Sequence, residues 1–128
     1  MISFEEFIMQ DGSPIYQQIL LFIKRGIIAG IIKDGEELPS RRVLSALLGV
    51  NPNTVQKAYR LLEEEKLIQS LQGSRSTMVL TEEKVRSIRE ELLEEDARSA
   101  VQKLKQMGIS REEAVELIER YWDKESNL

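Results

Sequence analysis

The sequence predicts a mainly α-helical protein, and three observations support this class. Apolar residues recur at three- and four-residue spacing along most of the 128 residues, which is typical of amphipathic helices. Two of the predicted helices are short and meet at Gly49, and two short strand-like segments follow them. This order is the layout of a winged helix-turn-helix. We therefore predict an N-terminal winged helix-turn-helix in residues 1–80, followed by a C-terminal two-helix dimerisation hairpin in residues 81–128.

The start of the chain is predicted to form an extended arm over residues 1–12 and then a first helix. Ser13 is a favourable N-cap for this helix, Pro14 fits its first turn, and Gly30 ends it. The arm offers three side chains for burial, namely Phe4, Phe7 and Ile8. We expect the apolar stripe of the first helix to form the core, with Ile15, Ile19, Phe22, Ile23 and Ile27 as its members.

The two short helices carry their own start and stop signals. Ser40 can cap the first of them, and Gly49 can end it because glycine adopts the left-handed conformation without steric cost. Asn51 can cap the second, and Pro52 occupies its first position, where the missing N–H costs nothing. The pattern continues this second helix to about Glu65.

Polar side chains occupy the first turns of the second short helix. In helix-turn-helix proteins this helix enters the major groove, where such side chains hydrogen-bond base edges and phosphates. The side chains in question are Asn53, Thr54, Gln56 and Lys57. The sequence therefore predicts that the chain binds double-stranded DNA.

The residues after this helix predict a wing and then a second helical region. Residues 67–71 and 77–80 have strand character around a turn at residues 72–76. Thr81 then begins a long helix that Gly108 ends, and Ser110 with Glu113 forms a capping box for a final helix. Two helices alone cannot bury their apolar faces, so we expect a homodimer, or else packing onto the chain's own DNA-binding domain. The expected dimerisation residues are Val85, Ile88, Leu92, Val101, Leu104, Ile118, Tyr121 and Trp122.

Charge and composition limit the possible functions. Residues 1–80 hold nine Lys/Arg against nine Asp/Glu, and residues 81–128 hold nine against 13, which gives the net charge of −4. DNA affinity depends on local basic patches, here Arg41, Arg42, Lys57, Arg60 and Arg75, more than on net charge. The chain has no Cys, no His, no long apolar run and no leader-like N-terminus. We therefore expect a cytoplasmic protein that is no enzyme, holds no metal or cofactor, and spans no membrane.

Three blocks of the sequence resemble the GntR family of bacterial transcription regulators. They occur in the family's order and spacing: PIYQQI from Pro14, LPSxRxL from Leu38, and LGVNxNTVxKAY from Leu48. The short helical tail is similar to that of the YtrA-like subgroup. The resemblance implies a winged helix-turn-helix, dimerisation through the C-terminal helices, and a wing tip with two glycines. This chain has Ser74 and Ser76 in place of those glycines, while Gly73 lies one position early.

Several candidate DNA-binding residues could instead have a purely structural role, as a helix cap or in an ion pair. The resemblance implies that Arg42 reaches base edges, where an arginine can pair with guanine, whereas an ion pair with Glu36 or Glu37 is the alternative. Asn51 could serve only as the N-cap of its helix, and Asn53 and Thr54 could serve only as additional capping residues, without contacting DNA. The complete predicted set is Ser40, Arg41, Arg42, Asn51, Asn53, Thr54, Gln56, Lys57, Ser74 and Arg75.

These features predict a sequence-specific regulator, namely a dimeric repressor that binds a two-fold-symmetric operator. Similarity to the YtrA-like subgroup implies an ABC-transporter operon as the target. A nonspecific architectural DNA-binding protein is one alternative, and an adaptor whose winged helix binds protein is another. No small-molecule effector can be assigned from these residues.

Overall fold

The computed structural model describes residues 1–73 and 75–125, and its helices confirm the mainly α class. Five helices are present in the described part: α1 (Ile15–Ile28), α2 (Arg41–Leu48), α3 (Pro52–Glu64), α4 (Glu82–Gln106) and α5 (Arg111–Trp122). Three short strands accompany them: β1 (Glu37–Leu38), β2 (Ile68–Ser70) and β3 (Ser76–Met78). The chain forms two compact units, Met1–Glu90 and Glu91–Leu128, and the boundary between them falls within α4.

The start of α1 differs from the prediction, because Pro14 and not Ser13 is the N-cap residue. Proline has no side-chain oxygen, so no side chain caps this helix. The Gln18 side chain instead donates to the carbonyl oxygens of Ser13 (2.9 Å) and Gln10 (2.8 Å). Ser13 therefore belongs to the connection that Gln18 holds against α1.

The N-terminal arm is attached to the first unit at two places. The Ile2 amide donates to the Glu37 carbonyl oxygen (2.8 Å), and the Phe4 ring lies 5.1 Å from the Phe22 ring between centroids. Ile2 and Phe4 are buried, whereas Ile8 is 76% exposed. The expected burial of Ile8 is therefore wrong. The burial of Ile2 was not predicted, because an irregular segment has no periodicity that identifies its inward side chains.

The core of the first unit lies where α1 and α2 pack against α3. From α1 it receives the predicted Ile19, Ile23 and Ile27. From α3 it receives Val55, Ala58, Tyr59 and Leu62, all fully buried. At its edge Lys24 Nζ lies 2.8 Å from Glu65 Oε1, an ion pair that joins α1 to the end of α3.

The wing is part of a three-stranded antiparallel sheet with the order β1-β3-β2. Ser70 pairs with Ser76 at the turn end of the hairpin, and Leu38 pairs with Ser76 from the other side. The sequence did not predict β1, because two residues cannot display a strand period. Gly73 has φ of +76° and is therefore a left-handed residue of this turn, although it lies one position before the place where the family has its first glycine. Ser74 lies outside the described residues.

Both helices of the C-terminal region begin at the predicted caps. Thr81 Oγ1 accepts from the Lys84 amide (3.2 Å), and Ser110 Oγ accepts from the Glu113 amide (3.2 Å). Helix α5 contains no buried residue. No helix in the described part of the chain is long and apolar enough to cross a membrane.

Replacement of Tyr59 by phenylalanine tests how α2 is fixed to α3. The Tyr59 hydroxyl donates to the Pro39 carbonyl oxygen at 2.7 Å in a buried position. Tyr59→Phe leaves that buried carbonyl without a partner, which costs about 1–3 kcal/mol of unfolding free energy. Urea unfolding monitored by circular dichroism measures the change. The control is Tyr16→Phe, whose hydroxyl lies on the exposed surface and, among the described residues, accepts only from Gln17 Nε2, and an equal loss in both variants would contradict the assignment.

Candidate DNA-binding interface

The helix-turn-helix is held by the hydrogen bonds that its sequence predicts. Ser40 Oγ accepts from the Val43 amide (3.1 Å), and Asn51 Oδ1 accepts from the Asn53 amide (2.8 Å). Gly49 is left-handed between the two helices, with φ of +68°. The side-chain oxygens of Ser40 and Asn51 therefore have structural roles as caps, whatever further contacts these residues make.

A buried tyrosine fixes α3 beside the start of α2. The Tyr59 ring is fully buried, and the Arg41 guanidinium carbon lies 5.2 Å from the ring centroid. Burial raises the pKa of the Tyr59 phenol well above its ordinary value, so the hydroxyl stays protonated and donates to Pro39. Arg41 is half-buried, and its Nε has no partner within residues 1–73 and 75–125. Arg41 is thus held against α3 rather than extended into solvent.

The outer side of α3 carries the side chains predicted to contact DNA. Asn53, Gln56 and Lys57 are exposed, whereas Thr54 is half-buried. The Thr54 amide donates to the Asn51 carbonyl oxygen (2.9 Å), so the backbone of the first turn is ordered. These residues lie on one helix whose opposite side forms the core, which gives them a rigid support.

Arg42 is exposed and makes no ion pair or hydrogen bond with any described residue. The acidic partners considered for it are engaged elsewhere. Glu36 Oε1 accepts from the Lys33 amide (2.8 Å), and Glu37 pairs with Arg75. The guanidinium of Arg42 is therefore available to an external partner, as a base-contacting arginine has to be.

The wing is tied to β1 by an ion pair between Arg75 and Glu37. Arg75 Nη2 lies 3.0 Å from Glu37 Oε1, and Arg75 Nε lies 3.3 Å from Glu37 Oε2, so both carboxylate oxygens are engaged. The hydrogen bond from Arg75 is the main cause that lowers the pKa of the Glu37 carboxyl, and the same bond raises the pKa of Arg75. Because Glu37 precedes Ser40 by three residues, this pair holds the wing near the start of α2.

These contacts bring most of the predicted site residues together on the first unit. The buried Tyr59 joins α3 to the segment before α2, and the pair of Arg75 with Glu37 adds the wing. The described members are Ser40, Arg41, Arg42, Asn51, Asn53, Thr54, Gln56, Lys57 and Arg75, while Ser74 lies outside the described residues. No local sequence pattern pointed to Glu37 as a partner of the wing, because Glu37 and Arg75 are 38 positions apart.

Tyr16 is an additional side chain at this surface. Lys57 Nζ lies 4.0 Å from the centroid of the Tyr16 ring, so the first turn of α1 adjoins α3 here. Sequence reasoning missed this contact, although Tyr16 stands within one of the blocks that carry the family resemblance.

Two acidic runs, residues 63–65 and 94–96, do not form a metal site in the described part of the chain. No group of three or more Asp or Glu residues there is placed to hold a metal ion. Several of these carboxylates have other partners: Glu65 pairs with Lys24, Glu63 accepts from Ser70, and Glu94 pairs with Arg98.

Comparison with known proteins decides the family. The profile of the bacterial regulatory proteins of the gntR family matches residues 15–79, which is half of the chain. The chain belongs to the GntR family. The HTH-type transcriptional repressor YtrA of Bacillus subtilis (strain 168) is 41% identical to it over 90 residues, covering 65% of this chain and 68% of YtrA.

Solved structures of GntR regulators share this fold. A GntR family transcriptional regulator from Listeria monocytogenes superposes with a TM-score of 0.77 at 27% identity, covering 88% of this chain and 98% of that chain. YtrA from Sulfolobus acidocaldarius, a GntR-family transcription factor, superposes with a TM-score of 0.52 at 31% identity, covering 91% and 94%. The protein is thus a DNA-binding transcription regulator with a winged helix-turn-helix, and these relatives confirm the prediction that it is no enzyme.

The ion pair of the wing has a pH dependence that can be measured. Because the folded-state pKa of Glu37 is lowered from 4.5, the pair stabilises the protein above the unfolded-state pKa, and this contribution is lost as pH falls through the folded-state pKa. We expect Glu37→Gln to lower the melting temperature slightly at neutral pH and to have no effect in acid below that pKa. Thermal unfolding of both proteins across this pH range measures the difference.

Glu6→Gln is the matched control, because Glu6 is exposed and makes no ion pair with a described residue. Added salt should reduce the effect of Glu37→Gln at neutral pH, since the pair is partly exposed. A difference between wild type and Glu37→Gln that persists unchanged into acid would show that the pair is not its cause.

Proposed function

We propose that this GntR regulator is a dimeric repressor that binds a two-fold-symmetric operator in the cytoplasm. The observation that carries the proposal is the polar, exposed side of the capped helix α3, together with the exposed Arg42 in the first turn of the capped helix α2. Arg42 has no partner among the described residues, so its pairing capacity remains for a base. The name of the relative from Bacillus subtilis, a transcriptional repressor, supports repression as the outcome.

The first turns of α3 would enter the major groove of each half-site. In that position Gln56 can pair with adenine and Arg42 with guanine, while Asn53, Thr54 and Lys57 contact bases or phosphates. Arg41 would contact a phosphate from its place against Tyr59. Arg75 would reach the minor groove or its backbone from the wing once it separates from Glu37.

We assign dimerisation to the C-terminal region, because several apolar side chains among its described residues 81–125 are exposed in the single chain. Helix α5 has no buried residue, and Trp122 is 73% exposed. Exposed apolar surface of this kind marks an interaction site. The exposed or half-buried members of the predicted set are Val85, Val101, Leu104, Ile118, Tyr121 and Trp122.

Two members of the predicted dimerisation set differ from the others. Ile88 and Leu92 are each only 5% exposed within the single chain, so they offer little surface to a partner. Their burial is a structural role in the protomer, and we place the dimer interface on the other six residues.

We further propose a transport operon of the ABC type as the target, which is what the resemblance to the YtrA-like subgroup implies. Nonspecific architectural binding is the competing function, and the equal numbers of basic and acidic residues in residues 1–80 do not favour it. Specific regulators typically prefer their operator by a factor of about a thousand or more over random DNA.

Selection of bound fragments from genomic and random DNA tests the proposed function. We expect the wild-type protein to enrich a two-fold-symmetric motif and Arg42→Ala to lose it, because a bidentate contact to guanine contributes about 1–3 kcal/mol of discrimination. Arg86→Ala is the matched control, since Arg86 is an exposed arginine on α4. Uniform weak binding that Arg42→Ala leaves unchanged would favour an architectural or adaptor protein instead.

Sedimentation equilibrium tests the dimer. We expect wild type to be dimeric at micromolar concentration and Ile118→Glu to be monomeric, because a buried unpaired carboxylate is unfavourable in an apolar interface. Ile31→Glu is the matched control: Ile31 is also exposed and apolar, but it lies in the first unit. A dimer that survives Ile118→Glu, or a monomeric wild type, would contradict the proposed interface.

A further inference from the structure

Tyr16 lies on the first turn of α1, outside the helix-turn-helix, yet its ring contacts a predicted DNA-binding residue of α3. The distance from Lys57 Nζ to the ring centroid is 4.0 Å. Tyr16 is half-buried and Lys57 is exposed, so the contact lies at the surface where α1 meets α3. Lys57 forms no hydrogen bond or ion pair with any other described residue. The Tyr16 ring is therefore what holds its ammonium group.

We propose that Tyr16 is a positioning residue of the DNA interface, whose ring holds the Lys57 ammonium in place for a DNA phosphate. The inference rests on the proposed function, because it takes α3 as the helix that enters the major groove. It adds a residue of α1 to the interface, and that residue acts through Lys57.

The physical reason is the flexibility of lysine. An ammonium group on a four-carbon stem loses considerable rotamer freedom when a phosphate fixes it. The face of an aromatic ring attracts a cation and restricts the stem before DNA arrives. Part of the entropic cost of the phosphate contact is then already met in the free protein.

The neutrality of the ring matters as much as its position. Arg75 is also held in the free protein, but by the carboxylate of Glu37, which cancels its charge until the pair separates. Tyr16 holds Lys57 without cancelling its charge, so the ammonium keeps its full attraction for a phosphate. Residues 1–80 hold equal numbers of basic and acidic residues, so a cation whose charge is not cancelled supplies a larger share of their attraction for DNA.

The ring, and not the hydroxyl, is the group that acts. The Tyr16 hydroxyl accepts a hydrogen bond from Gln17 Nε2 (3.3 Å) on the exposed surface and does not contact Lys57. A phenylalanine at this position retains the face that the ammonium contacts, whereas leucine removes it. Tyr16→Phe is therefore the conservative variant and Tyr16→Leu the disruptive one.

A double-mutant cycle with Lys57→Met tests the proposal on DNA. The probes are short random-sequence duplexes, together with the operator fragment that selection yields. We expect Tyr16→Leu to weaken binding about twofold to fivefold, which is the strength of an exposed cation–π contact. Tyr16→Phe should bind like wild type, and Tyr16→Leu should add nothing in the Lys57→Met background. Lys57→Met should itself reduce the slope of log affinity against log salt by about one.

Proton NMR of the free protein supplies an independent measurement of the contact. The ring current should shift the ε-methylene protons of Lys57 upfield in wild type and Tyr16→Phe, and this shift should be absent in Tyr16→Leu. A folded Tyr16→Leu with unchanged affinity, an equal loss in the Lys57→Met background, or a loss in Tyr16→Phe as large as in Tyr16→Leu would each overturn the proposal. An Arg42→Ala variant that binds normally would instead count against the proposed function, so the two failures are distinguishable.

Discussion

The hydrogen bond from the Tyr59 hydroxyl to the Pro39 carbonyl oxygen ties the start of α2 to α3, and the candidate DNA-binding surface depends on how these two helices are placed. Its donor belongs to a fully buried ring, and its acceptor lies immediately before the cap of α2. Arg41 lies against the same ring, and Glu37, which holds the wing through Arg75, is two residues before Pro39. A shift of the Pro39 segment would therefore move the start of α2 and the attachment of the wing together. One buried contact thus links α3 to the segment that carries both the start of α2 and the attachment of the wing.

Helix α3 serves the core and the interface at once, and helical geometry makes this possible. Its buried residues recur every three or four positions, at Val55, Ala58 and Leu62, while Asn53, Gln56 and Lys57 project from the other side. The side chains that would contact DNA are consequently carried by a helix whose orientation is fixed by apolar packing. The preceding caps satisfy the amides of its first turn, so this end of α3 is ordered before DNA is bound.

The parts of the fold that sequence predicted are those with local chemical signals. The caps at Ser40, Asn51 and Ser110 require one side chain and one nearby amide, and the core of α1 follows from a helical period. The missed parts depend on partners far along the chain or on segments without a period. Strand β1 is two residues long, Ile2 lies in an irregular arm, and Glu37 meets Arg75 only because β1 pairs with β3. The cap predicted at Ser13 was wrong because Pro14 itself occupies the position before the helix. The candidate site residues could be named from sequence, but the groups that hold them could not.

The partner of each cation in the free protein determines how much of its positive charge is available to DNA. Arg42 has no partner among the described residues, Lys57 lies over a neutral ring, and Arg75 is paired with a carboxylate. Attraction to phosphates at random sequence depends on uncancelled charge, so in the proposed complex Arg42 and Lys57 would contribute to it more than Arg75. Arg75 would contribute only where DNA offers enough contact to replace Glu37. On this proposal a neutral N-terminal domain would have low nonspecific affinity, and the wing would add most to binding at sites where the shape of the groove suits an arginine.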